Sequence, residues 1–203
     1  MQILSILRIF PLTAPGRLWY AEYVGAVRKP PFFGKDVAVL KTLYLIGGTM
    51  GVGKTTVCRE LKQQLPNCVF LDGDWCWDMH PFTVNAETKA MVMANITACL
   101  NNFLHCSSIE NILFCWVMHE QAIVEEILSR LDTAGCRIVP ISLTCTEAAL
   151  RNRLQSDIDT GLRTPDILER SPARLPLYER LTTIRIDTTG LTPQEIARRI
   201  STL

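Results

Sequence analysis

The chain has 203 residues, 48% of them hydrophobic, and its 21 basic and 20 acidic side chains leave a formal net charge of +1. That length suits one domain with a sizeable core. The near-neutral balance excludes the basic field that draws proteins to nucleic acid or to an anionic membrane surface, so a small-molecule partner is expected and those two are not. Eight cysteines fall at 58, 68, 76, 99, 106, 115, 136 and 145, mostly in apolar runs, with no C-x-x-C pair. Zinc ribbons and thioredoxin-like sites need that pairing, so reduced, buried cysteines and a cytoplasmic location are expected.

Residues 1–10 are apolar with one arginine, but no basic region precedes them and no small-residue cleavage site follows. The run is also shorter than the ~20 residues of a membrane span. Prolines 11, 15, 30 and 31, with glycines 16, 25 and 34, keep 11–36 irregular. Residues 1–38 are therefore expected to be an irregular extension, with the domain in 39–203. One hypothesis is that native translation begins near Val39 or Leu40, at a non-AUG codon; the intact mass of the native protein tests it.

From Lys41 onward strand and helix signals alternate, which predicts a parallel sheet covered by helices. Residues 42–46 form a continuous apolar run, as in a strand buried on both faces. A glycine-rich turn over 47–53 leads into a helix over 54–65, stopped by Pro66. A short strand at 69–71 ends in Asp72-Gly73-Asp74, and a long helix is predicted over 83–106. Residues 111–118 read as a third strand and 120–131 as an amphipathic helix closed by Gly135. A fourth strand over 137–143 carries Pro140, a residue that prefers edges and bulges. Thr144-x-x-Glu147 and Thr192-x-x-Glu195 both fit capping boxes, launching helices over 146–154 and 193–200, with Pro193 at the first turn of the second. A fifth strand is expected at 182–187. The sum is a three-layer α/β/α domain on a five-stranded parallel sheet.

Residues Gly48, Thr49, Met50, Gly51, Val52, Gly53, Lys54 and Thr55, followed by Thr56, match G-x-x-x-x-G-K-[ST] in full. Glycines let backbone N–H groups turn inward and wrap an anion, and the following helix adds the positive end of its dipole. Lys54 is placed to reach the β- and γ-phosphates, and the Thr55 hydroxyl to ligate Mg²⁺. The strand before and the amphipathic helix after give the context this pattern requires. Downstream, Asp72 and Asp74 stand at a strand's carboxyl end, the edge where open α/β sheets bind ligands. One carboxylate there suits Mg²⁺ and the other suits an acceptor hydroxyl, although Asp-Gly-Asp also fits a plain polar turn.

With these motifs, "YLIGGTMGVGKTT", "FLDGD", "ISLTCTEAALRNRL" and "IRIDTTGLTPQEIARRI", residues 41–203 resemble the P-loop small-molecule kinases. That group holds shikimate, gluconate and adenylylsulfate kinases, chloramphenicol phosphotransferase and the tunicamycin-resistance ATP-binding proteins. The resemblance implies the P-loop NTPase fold, ATP and Mg²⁺ as cofactors, Asp72 near the metal and Asp74 on the acceptor hydroxyl. It also implies Arg151 or Arg153 near adenine, Asp187 to Thr189 packed on adenine, and a lid over 156–176 bringing Arg163, Arg170 or Arg174 to the phosphates. The lid stretch carries Gly161 and prolines 165, 172 and 176 with little helical periodicity, as a long functional loop would. In place of the G-G-G of shikimate kinases stands Trp116-Val117-Met118-His119-Glu120, which speaks against shikimate. The guanine-selecting N-K-x-D of GTPases is missing as well.

Trp75, Trp77, His80, Trp116 and His119 lie just beyond the second and third strands, where they would line a site for an aromatic or sugar-like acceptor or pack beneath the long helix. The expected activity is transfer of the γ-phosphate to a small-molecule hydroxyl by a monomer or homodimer. An ATP-binding resistance or regulatory protein that holds a ligand without turnover is the alternative.

Overall fold

A computed structural model describes residues 40–203, and the expectations for residues 1–38 lie outside the described residues. Five strands run in the order β2-β3-β1-β4-β5: β1 (Lys41–Gly48), β2 (Cys68–Asp72), β3 (Asn111–Trp116), β4 (Cys136–Thr144) and β5 (Ile184–Asp187). Every pairing is parallel. The central strand β1 alternates between two cores, as the pleat requires. Tyr44 and Ile46 pack with Val57 and Leu61 of α1 (Lys54–Gln64) and with Ile196 and Ile200 of α6 (Pro193–Ser201). Leu43 and Leu45 face the other way, onto Val92, Ile96 and Leu100 of α2 (Ala86–His105) and Val124 and Ile127 of α3 (Gln121–Ser129). Helices thus cover both faces, and the expected α/β/α layering is what forms. Among the described residues no helix is long and apolar enough to cross a membrane.

The chain leaves β1 towards β2 on one side, and β4 lies on the other, so the strand order reverses at the carboxyl end of β1. Such a switch point opens a crevice at that edge of the sheet. The residues from Gly48 to Lys54 fill it.

Several boundaries differ from expectation for local reasons. Helix α2 starts at Ala86 rather than at 83, because the Asn85 side chain accepts the Thr88 amide while the Thr88 hydroxyl accepts the Asn85 amide. β3 ends at Trp116 rather than 118, since its β1 and β2 partners run out at Gly47 and Asp72. Pro140 lies inside β4 opposite Leu45, but β5 pairs only from Ile141 onward, so at the proline β4 has a neighbour on one side alone. The cap of α4 (Glu147–Asp159) is Thr146, whose hydroxyl accepts the Ala149 amide at 3.3 Å; the expected Thr144 box does not form, because Thr144 is still in β4. All eight cysteines are free, yet only Cys58 and Cys115 are buried and Cys106 is exposed, so the expectation of general burial is too broad.

Most of the stretch read as a lid is helical. α4 continues to Asp159, α5 covers Ile167–Arg170, and a 3₁₀ run occupies Pro172–Arg180. The prolines that suggested an irregular loop are tolerated there: Pro172 opens the 3₁₀ run, Pro176 falls within it, and Pro165 precedes α5.

At α6 the Thr192–Glu195 capping box forms as expected: the Thr192 amide donates to Glu195 Oε2 at 2.8 Å and the Glu195 amide returns a bond to Thr192 Oγ1 at 3.3 Å. Thr192→Ala is expected to cost about 1 kcal/mol in denaturant unfolding. The Thr192 amide, and then its hydroxyl, hold the Glu195 carboxyl below the usual glutamate value. A depressed folded value adds stability above the ordinary value and loses it as pH falls through the depressed one. Glu195→Ala should therefore lower the unfolding midpoint at neutral pH, and the difference should fade on acidification below the ordinary glutamate range.

Candidate active site

The loop between β1 and α1 takes its shape from glycines. Gly51 has φ +78°, and a Cβ there would stand 2.5 Å from Leu154 Cδ2, so backbone and packing both require glycine. Loop carbonyls are held by three side chains. Lys54 Nζ donates to Gly48 O at 2.9 Å and Thr49 O at 3.1 Å. Ser171 Oγ donates to Met50 O at 2.6 Å, and Arg153 Nη1 to Val52 O at 3.0 Å. Thr49 and Ser171 are fully buried. The Thr49 hydroxyl donates to Ser171 O at 2.9 Å and lies 2.8 Å from Ser171 Oγ. Arg174 reaches Met50 Sδ at 2.8 Å. The end of the expected lid is therefore fastened to the loop rather than free of it. Ser171 carried no signal in the sequence beyond being a serine among prolines and arginines.

Below the loop lies a cleft of ≈ 400 Å³, floored by Met50 to Val57 and walled by Asp74, Arg153, Asp157 and Arg163, with Leu191, Pro193 and Ile196 at its apolar side. Lys54 is half-buried within it; desolvation pushes its ammonium below the usual lysine value, opposed by Cys115 and by the Asp74 and Asp72 carboxylates. Thr55 Oγ1 donates to Asp72 Oδ2 at 2.6 Å, and Asp72 Oδ1 accepts the Asp74 amide at 3.1 Å. Asp72 is buried at the end of β2 and opens a 3₁₀ turn over Gly73–Trp77. Asp74, at the mouth of the cleft, accepts the Trp116 indole N–H at 3.2 Å. Desolvation, and then the Asp72 charge, push the Asp74 carboxyl above its usual value, against Lys54, Trp116 and Arg163.

The expected site residues divide. Met50, Gly51, Val52, Gly53, Lys54, Thr55, Thr56, Asp74, Arg153 and Arg163 line one cleft. Arg163 is held there by Asp157 at 2.9 Å. Arg153 does more than face the cleft: it also donates to Thr188 Oγ1 at 3.0 Å and Thr188 O at 2.8 Å, bracing the turn after β5. Gly48 and Thr49 stand behind the lining, with Thr49 turned to Ser171. Arg151 pairs with Glu147 at 2.7 Å and caps Leu168 O at 3.1 Å, so it tethers α5 instead of facing the cleft. Arg170 pairs with Asp166 at 2.7 Å, outside the cleft lining. Thr189 Oγ1 accepts the Thr146 amide at 2.9 Å; the buried threonine of that turn is Thr188. Sequence reasoning missed Asp157, Leu191, Pro193 and Ile196, and the helical spacing of 193 and 196 was the one available sign.

The expected aromatic cluster is divided too. Trp116 reaches Asp74, whereas Trp75 and Trp77 line a separate hollow against Met91 and Cys99 of α2. Trp75 packs edge-on against Phe70 at 5.1 Å, and Trp77 tilts against Phe82 at 5.5 Å. His80 is exposed, and His119 Nε2 lies 3.5 Å from Glu120. Among the described residues no group of three His, Cys, Asp or Glu side chains is arranged to hold a metal by itself.

A family model described as AAA domain matches residues 45–169, which takes in the loop, both aspartates, Arg153 and Arg163. The chain belongs to this family. In structure it is similar to the tunicamycin resistance protein of Deinococcus radiodurans, with a TM-score of 0.59 and 19% identity over 80% of this chain and 94% of that one. A gluconokinase from Sinorhizobium meliloti 1021 superposes with a TM-score of 0.55 and 17% identity, over 79% and 89% of the two chains. A shikimate kinase from Acinetobacter baumannii, in complex with shikimate, superposes with a TM-score of 0.56 and 24% identity, over 80% and 91%. No curated protein matches the chain in sequence. The chain thus has the three-layer α/β/α P-loop NTPase fold that its motifs imply.

The clamp between loop and 3₁₀ run is open to test. Thr49→Val and Ser171→Ala each leave a buried partner unpaired and should cost about 1–3 kcal/mol in denaturant unfolding. The two share one network, so the double variant should lose less than the sum of the single losses.

Proposed function

We propose that this chain is an ATP-dependent phosphotransferase that moves the γ-phosphate to a hydroxyl of a small molecule. The observation that carries the reading is that Asp74 and Lys54 line the same cleft as the P-loop, with an apolar side at Leu191, Pro193 and Ile196. The adenine ring would lie against that apolar side and Arg153, and the phosphates would lie over the loop amides and the start of α1. Lys54 would exchange its carbonyl partners for β- and γ-phosphate oxygens. Thr55 and Asp72 already touch as a hydroxyl and a carboxylate, the hard oxygen donors Mg²⁺ prefers, with nucleotide phosphates completing the set. Bound there, the ion would neutralise phosphate charge.

In the transfer, the acceptor oxygen bonds to the γ-phosphorus as the bond to the bridging oxygen breaks and ADP leaves. Asp74 orients the acceptor hydroxyl and takes its proton. Arg163, whose planar fork pairs with phosphate oxygens, lies on the cleft wall for the charge that develops. The near-neutral net charge supports a small-molecule acceptor, aromatic or sugar-like, over nucleic acid or membrane, and the cysteine pattern without C-x-x-C supports a cytoplasmic chain acting as monomer or homodimer.

The test is ATP-dependent transfer by the purified chain against nucleosides, nucleotides, sugar acids, shikimate, and aminoglycoside and nucleoside antibiotics. Transfer to one acceptor is expected, with Asp74→Asn lowering kcat by about 10²–10⁴-fold and Lys54→Ala weakening nucleotide binding. Tight ATP binding without transfer to any acceptor would instead support a protein that holds its ligand without turnover.

A further inference from the structure

The indole of Trp116 is the one side-chain donor on the Asp74 carboxylate among the described residues, and that indole is crowded against Gly73. Trp116 is the last residue of β3, in register with Gly47 at the root of the phosphate loop. Its side chain lies against the backbone of Gly73. A Cβ at position 73 would stand 2.6 Å from Trp116 Cγ and Cδ1, closer than such atoms approach, and 3.0 Å from its Cβ. Gly73 is buried, and its φ lies outside the left-handed region, so the indole rather than the backbone conformation excludes a side chain there. With the ring so pinned, Nε1–H points to Asp74 Oδ1 at 3.2 Å.

Asp74 itself belongs to a short 3₁₀ turn, and its backbone N–H donates a hydrogen bond to Asp72 Oδ1. The backbone is therefore anchored by Asp72 and the carboxylate by Trp116. One carboxylate oxygen is bound by the indole, and Oδ2 remains for an incoming hydroxyl.

We propose that Trp116 is a positioning residue for the phosphoryl acceptor: its indole N–H, seated on the bare Gly73 backbone, fixes the Asp74 carboxylate so that Oδ2 faces the acceptor hydroxyl. The inference rests on the phosphotransferase reading above. A rigidly held base keeps the nucleophile in an attack geometry, which is where much of the rate of phosphoryl transfer arises. An aspartate free to rotate about χ1 and χ2 would satisfy the same chemistry only part of the time. The aromatic ring is required because it both covers Gly73 and carries a donor at the right reach; phenylalanine supplies the cover without the donor.

The experiment is a double-variant cycle on the full chain, using the acceptor that the panel above identifies. Trp116→Phe should lower kcat roughly ten- to hundredfold with KM for ATP unchanged. Trp116→Phe in an Asp74→Asn background should lower kcat no further, since the group it positions is already disabled. Gly73→Ala attacks the same contact from the backbone side, pushing the ring away while keeping its N–H, and should likewise lower kcat more than it alters KM for ATP. A Trp116→Phe chain with unchanged kcat, or a double variant that loses the two effects in full multiplication, overturns the positioning role and leaves the phosphotransferase reading intact. A KM for ATP that rises in step with the fall in kcat shows a structural role and also overturns it. No transfer by the unaltered chain to any acceptor overturns the underlying reading, and the positioning role with it.

Discussion

A loop that grips an anion with its amides cannot use those amides to hold itself in shape. Because the peptide unit is planar and trans, a carbonyl fixed outward turns the next N–H the other way. In this chain that constraint is met by tying carbonyls. Ser171 holds the Met50 carbonyl and Arg153 the Val52 carbonyl, and Gly51 and Gly53, which follow them, line the cleft. Lys54 holds the carbonyls of Gly48 and Thr49. Much of the rest of the molecule serves these few bonds. α4 presents Arg153 to the Val52 carbonyl and Leu154 to Gly51, and the buried Ser171 immediately precedes the 3₁₀ run.

The sheet decides what chemistry can be gathered around that loop. β1 lies at the centre, so the loop emerges between the ends of β3 and β4, and β2 delivers Asp72 and Asp74 from one strand further out. Parallel strands bring all their carboxyl ends to one edge, which is why residues 54, 74, 153 and 163 line one cleft although they are far apart in the sequence. The Thr55–Asp72 contact joins the start of α1 to the end of β2 across β3. The charge balance within the cleft follows: burial lowers the Lys54 ammonium against Cys115 and two carboxylates, and partial desolvation with the Asp72 charge raises the Asp74 carboxyl against Lys54, Trp116 and Arg163.

The order and type of the elements were legible in the sequence, because buried parallel strands are continuous apolar runs and the helices between them are amphipathic. The P-loop was legible as well, since it needs glycines at fixed positions whatever surrounds it. Reading failed in a consistent way elsewhere. The stretch over 156–176 seemed irregular because proline and charge masked helices that tertiary contacts hold in place, through Thr49, Met50 and Tyr178, which is fully buried. Arg151 and Arg153 could not be told apart, being two residues apart on one helix; one faces the cleft and the other faces α5. Thr188 and Thr189 pose the same problem at a turn, where neighbouring side chains point in opposite directions.

The sequence by itself determined the α/β/α architecture, the phosphate loop and the pair of aspartates beyond β2, because each depends on local pattern: periodicity, glycine freedom, and acidic residues at a strand's end. Only the tertiary structure decided which arginine enters the cleft, that Ser171 fastens the loop, and that Trp116 rather than Trp75 or Trp77 reaches Asp74. Those outcomes depend on which face of an element a side chain takes and on what stands opposite it, and no local stretch of chain contains that information.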